Sequence, residues 1–158
     1  MQSLTLRSLF ASFLIVMPAG AEALACASVY GVWSTWEDDP FESEEQSRQE
    51  IYDCGDAVCS RFVWEARPLD EKTGEPRLDV NHPDESKRAR LVSEVNILSK
   101  FEPVADDRGC ITEIYGGEIY DPRAGDIYGD SWLSYTIELE GDDILRFPNG
   151  IAWTRYSD

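Results

Sequence analysis

The chain has 158 residues, enough for one domain with a real core and too few for two ordinary ones. It carries 31 Asp and Glu against 14 Lys and Arg, a formal net charge of −17 at pH 7. Neutralising nucleic-acid phosphates or anionic lipid headgroups takes clustered cations, so this balance excludes a nucleic-acid face, speaks against an anionic membrane surface, and marks a heavily solvated exterior.

Residues 1–25 read as a secretory signal peptide. Arg7 supplies a positive start, the ten residues "SLFASFLIVM" supply an apolar run, and Ala23 and Ala25 stand as small residues before a cut. The run falls well short of the roughly 20 residues that span a bilayer, so no membrane span is expected. The mature domain is then residues 26–158, periplasmic or secreted. Cys26 would be its first residue, where bacterial lipoproteins carry their lipid. Such signals usually have leucine at the position that Ala23 occupies, so a lipid anchor at Cys26 is the alternative.

Along the mature chain, residues 29–36, "VYGVWSTW", are aromatic and β-branched and predict a first strand. The acidic run at 37–46 reads as a solvated loop. "EIYD" and "CSRFVW" then predict a hairpin turning at Gly55-Asp56, with Val58, Ser60, Phe62 and Trp64 on one face of its second strand. Residues 67–93 form a long irregular stretch broken by Pro68, Pro76 and Pro83, with room for one short helix over 83–90. Strands resume at 95–103 and 110–121, the latter bent at Gly116-Gly117. A hairpin turning at 122–125, a strand over 131–139, and strands at 143–147 and 151–156 complete about nine strands in one all-β domain.

Four cysteines remain after the leader, and in an oxidising compartment an even count reads as disulfides. Cys54 and Cys59 face each other across the hairpin mouth, which leaves Cys26 for Cys110. Zinc is disfavoured because His82 is the single histidine, and a redox pair because there is no C-x-x-C at a helix start.

Catalytic constellations are absent. With 30 carboxylates in the mature chain, close Asp and Glu pairs arise by chance and carry no information about acid–base chemistry. His82 has no nucleophile setting and reads as a turn or cap residue. Asp79, Asn81 and Asp84, and separately Asp121 and Asp126, make oxygen-rich turns without the ligand alternation of a calcium loop. No metal, cofactor or enzymatic activity is expected.

The ordered pieces "GVW" at 31–33, "EIYDCGDAVCSRFVW" at 50–64, "PLD" at 68–70, "LDVNHPD" at 78–84, "GGEIYDPRAGDIY" at 116–128 and "WTR" at 153–155 resemble the exported bacterial family known as domain of unknown function 2147, whose fold is lipocalin-like. The resemblance implies a small antiparallel up-and-down barrel. It also implies a latch in which Arg155 lies over Trp33 beside Gly31, a structural contact rather than a binding site. Departures include the long acidic loop, the added Cys26 and Cys110, and the short "RFPNG" before the last strand.

A barrel of this size is either filled by side chains or holds one small ligand. Phe62, Trp64, Tyr120, Tyr128, Tyr135 and Phe147 are the candidates to line it. The expected function is non-enzymatic binding of a small apolar or amphipathic molecule at the open end. The alternative is an envelope module in which loop 67–93 docks a protein or glycan.

Overall fold

The structure, a computed structural model, describes residues 26–36, 44–128 and 135–157. The expected leader, most of the acidic run and the start of the strand expected at 131–139 lie outside the described residues.

Three strands open the fold: β1 (Gly31–Trp36), β2 (Glu45–Asp53) and β3 (Val58–Glu65). They pair in order and antiparallel, with alternate residues of β2 buried as period-two patterning requires. After the irregular stretch come β4 (Leu98–Ser99), β5 (Glu102–Ala105), β6 (Ile111–Tyr115), β7 (Glu118–Asp121) and β8 (Asp126–Tyr128). The chain ends on β9 (Thr136–Glu140), β10 (Ile144–Arg146) and β11 (Ala152–Arg155).

Eight strands form one antiparallel sheet in the order β3-β2-β1-β11-β10-β9-β6-β5, and β4, β7 and β8 form a second. The large sheet curls until its ends meet: Val58 at the start of β3 bridges Phe101, the residue before β5, with Val58 N–H donating to Phe101 O at 2.7 Å. This is the lipocalin-like all-β architecture that the resemblance implies.

The meander departs from expectation at three places. β2 begins at Glu45, inside the run expected as a solvated loop, because pairing with β1 extends it five residues ahead of "EIYD". The other two departures have a local cause. The strand expected over 95–103 is split by Lys100, whose φ of 62° lies in the left-handed region, so β4 leaves the barrel and β5 stays in it. At Gly117 the chain turns a corner against the core. A Cβ there would lie 2.2 Å from the Phe101 ring and 2.6 Å from Ser99 O, so only glycine fits. β6 consequently pairs with β9, and the β7–β8 hairpin stands aside.

The core inside the curl is Val29, Trp33, Ile51, Val58, Leu98, Phe101, Ile114, Ile137, Leu145, Phe147 and Trp153. Each fully buried aliphatic or aromatic side chain contributes about 1.5–3 kcal/mol. One end of the barrel is closed by the N-terminal segment. Cys26 is bonded to Cys110, and Val29 N–H donates to Ile111 O at 2.8 Å. Cys54 is bonded to Cys59 across the β2–β3 turn.

In place of the short helix expected over 83–90 there are two 3-10 turns, Glu85–Lys87 and Val92–Glu94. The first is capped by Asp84, whose carboxylate accepts from Ser86 N–H at 3.0 Å.

Candidate functional site

The inner wall of the barrel is not uniformly apolar. Four inward residues of β1 to β3, Thr35, Ser47, Gln49 and Ser60, are polar and buried, with Gln49 in register with Trp33 and Ser60 with Ile51, beside the apolar core. They form a connected chain: Thr35 Oγ1 lies 2.8 Å from Ser47 Oγ, Gln49 Nε2 donates to Ser47 Oγ at 3.3 Å, Ser60 Oγ donates to Gln49 Oε1 at 3.3 Å, and Ser60 Oγ accepts from Leu98 N–H at 3.0 Å. Buried polar groups must be satisfied in this way because leaving them unpaired costs their full desolvation.

The stripe ends on a charged pair. Glu65 lies directly across from Ser47, and its side chain is only 7% exposed. Arg77, reaching in from the irregular stretch, donates from Nη2 to Glu65 Oε1 at 2.8 Å. Nothing in the spacing of Glu65 and Arg77, one at a strand end and the other in a loop, announces this pair.

The residues expected to line the interior do not converge on one cavity. Phe62 faces inward opposite Gln49 and is half-buried. Phe147 belongs to the core, its ring tilted against Trp153 with centroids 4.7 Å apart, and Tyr135 packs against that core. Tyr128 is 43% exposed on the small sheet.

Trp64 is a correction. The register of β2 and β3 shifts between Arg48 and Gln49, so Val63 is an extra residue, and Trp64 pairs with the outward Arg48 instead of following Phe62 inward. A bulge of one residue reverses every face beyond it. Outside, Arg48 is held between two rings, 4.8 Å from Trp64 and 3.9 Å from Tyr156, with its Nε 2.9 Å from Glu45 Oε1. The hydrogen bonds from Arg48 hold the Glu45 carboxyl below its ordinary range, against a smaller opposing effect of burial. An open groove of about 620 Å³ runs past these side chains to Arg155.

Tyr120 lies on the small sheet, where it lines an outer groove and not the barrel interior. It is buried, and its hydroxyl donates to Asp79, which is fully buried and also accepts from Arg90 Nε at 2.8 Å. Burial first, and then the neighbouring Asp79, raise the Tyr120 phenol well above its ordinary value. His82 packs on the Tyr120 ring at 5.1 Å, and its Nδ1 accepts from Asp84 N–H at 2.9 Å. The two oxygen-rich turns meet here: Asn81 Nδ2 donates to Arg123 O at 2.6 Å, and Gly125 sits against the Asn81 backbone. Asp79 accepts from Tyr120 and Arg90, Asp84 from Ser86 and Asp121 from Arg123 N–H, and among the described residues no group of three or more His, Cys, Asp or Glu is placed to hold a metal ion. A shallow groove of about 290 Å³ beside this cluster is lined by Lys87, Arg90 and Lys100 among others.

At the closed end, the Arg155 guanidinium lies 4.2 Å over the Trp33 ring and donates to Ser28 O at 2.7 Å and to Asp142 O at 2.7 Å. Gly31 leaves room for it, since a Cβ there would be 3.1 Å from Arg155 Nη1. Burial lowers the Arg155 pKa, and Asp143 and Asp142 oppose that shift.

The sequence profile of DUF2147, described as an uncharacterized protein conserved in bacteria, matches residues 31–152. No curated protein matches the chain. Among solved structures, protein HP1028 from the human pathogen Helicobacter pylori, described as belonging to the lipocalin family, superimposes with a TM-score of 0.61 over 84% of this chain and 85% of its own. The two sequences are 16% identical, so the likeness is one of fold.

Proposed function

The chain belongs to the bacterial DUF2147 family, and on that premise we propose that it is an exported, non-enzymatic binding protein that takes one small amphipathic molecule at the polar stripe inside its barrel. The observation that carries this reading is the mixed inner wall, in which a buried polar stripe from Ser60 through Gln49, Ser47 and Thr35 to Glu65 runs beside the apolar core around Trp33 and Ile51. A barrel filled only to be stable gains nothing from a buried polar stripe, because apolar residues of similar volume are as good or better. An amphipathic guest meets both surfaces. Two disulfides fit an oxidising compartment, in keeping with the leader read at residues 1–25.

Thermal shift and native mass spectrometry against a panel of lipids and small amphiphiles test the proposal. Stoichiometric one-to-one adducts that raise the melting temperature are expected. A panel without a single adduct would count against it.

One feature favours the docking alternative: Leu69, Leu78 and Val80 on the irregular stretch are 50%, 45% and 60% exposed. Replacing all three by serine leaves amphiphile binding unchanged if the barrel is the site. Loss of a protein or glycan partner on that change, with amphiphile binding absent throughout, favours the loop instead.

A further inference from the structure

Resting on the barrel reading above, we propose that the ligand carries an uncharged hydrogen-bond acceptor, a ketone, ester or amide oxygen on an apolar chain, and that Arg77 Nε is the donor that reads it. Among the described residues, Arg77 Nε is the buried side-chain nitrogen or oxygen with no hydrogen-bond partner. Buried donors in native chains are nearly always paired, so a spare one calls for a partner from outside the chain.

The donor is also held in place. Arg77 N–H donates to Pro68 O at 3.1 Å, and Arg77 O accepts from Val92 N–H at 2.9 Å, so the backbone is anchored on both sides. Its guanidinium is fixed at the other end by Glu65, at 2.8 Å. Swinging Nε toward solvent would break that pair and leave a carboxylate only 7% exposed without its cation. Glu65 in turn faces Ser47, so the spare donor stands at the end of the inner polar stripe.

Charge selects the kind of acceptor. Glu65 already neutralises Arg77, whose side chain is 32% exposed, and an incoming carboxylate would meet the buried Glu65 carboxylate beside it, in a chain of net charge −17. A cationic head would compete with Arg77 for Glu65 and still leave Nε unpaired. A neutral oxygen satisfies the donor and meets no repulsion.

The test uses the purified, disulfide-bonded protein loaded with the neutral fluorescent dye phenylnaphthylamine, displaced by four probes of matched length: undecan-2-one, undecane, undecanoate and undecylamine. The ketone is expected to displace at roughly tenfold lower concentration than the hydrocarbon, the value of one hydrogen bond to a charged donor, and to outrank both charged probes. The double variant Glu65→Gln, Arg77→Met, which strands no buried charge, should erase the ketone's advantage over the hydrocarbon, and a variant that folds and keeps that advantage overturns the role of Arg77. If it does not fold, the ranking on the unaltered protein decides alone. Equal binding of ketone and hydrocarbon overturns the role of Arg77 while the barrel reading stands. Tightest binding by undecanoate overturns the uncharged acceptor, and tightest binding by undecylamine makes Glu65 the reader and overturns it too. Failure of the dye and all four probes to bind overturns the barrel reading itself.

Discussion

Asp79 sits fully buried in what the sequence presents as a solvated, proline-broken loop, and it ties that loop to β7 through Tyr120 and to itself through Arg90. Changing Asp79 to Ala removes the acceptor for both partners while Tyr120 remains buried. A loss of about 2–3 kcal/mol is expected, read as a lower urea midpoint at unchanged slope. Tyr120→Phe should cost less, about 1 kcal/mol, because it leaves the Arg90 pair intact. Glu45 gives the complementary pH prediction. Its folded pKa is lowered by Arg48, so its contribution is present above its unfolded value of about 4.3 and is lost as pH falls through the folded value. The stability difference between the unaltered protein and Glu45→Gln should therefore be constant above about pH 5.5 and shrink in more acidic buffer. A difference that grows on acidification would show that Arg48 does not hold Glu45 ionised. Neither residue's role is legible in the sequence. Asp79 beside Asn81 and Pro83 has the signature of an ordinary turn, and only the approach of a strand 41 residues away buries it.

At the scale of elements, aromatic and β-branched content shows β1, "EIYD" shows the end of β2, period-two alternation shows most of β3, the paired glycines mark the corner after β6, and small-loop geometry pairs Cys54 with Cys59. The facing of Trp64 was not legible because a bulge belongs to two strands at once: the count of residues in β3 is meaningful only against the register of β2. The same applies to Lys100, whose left-handed backbone splits a stretch that reads as one strand. The candidate site shares this limit. Thr35 and Ser60 lie on predicted strands, but Ser47 and Gln49 lie ahead of the predicted "EIYD", in the part of β2 that its acidic neighbours hide, and Glu65 and Arg77 are joined only by the folded loop. The two disulfides make a quantitative contrast between elements. In the loop-entropy model the Cys54–Cys59 bond, with a separation of 5, contributes on the order of 2 kcal/mol, and the Cys26–Cys110 bond, with a separation of 84, on the order of 4–5 kcal/mol. Paired Cys→Ser variants should fall in that order in chemical denaturation. A larger loss from the hairpin pair would mean that the short bond holds the β2–β3 turn in a way chain entropy does not describe.

For the whole molecule, the manner of closure decides where it opens. Of the two end strands, β3 is tied to the far side of the barrel at its start, through Val58 and Phe101 and through Ser60 and Leu98, whereas β5 is exposed along its whole length and paired on one side only, to β6. The middle of the large sheet is different in kind. There β1 is flanked by β2 and β11, carries the fully buried Trp33, and is fastened at the closed end by Arg155. Local opening follows the lowest density of such ties, so exchange of backbone amides should not be uniform. The amides of β5 and of β3 beyond its bulge are expected to exchange first, by sub-global opening of the seam, and those of β1, β10 and β11 last, near the global unfolding limit. A bound amphiphile held by the polar stripe of the inner wall would bridge β3 to the loop that carries Arg77, and should therefore slow the seam selectively without altering the slowest amides. Uniform protection on ligand addition would instead indicate binding that stabilises the folded state as a whole, with no particular hold on the seam.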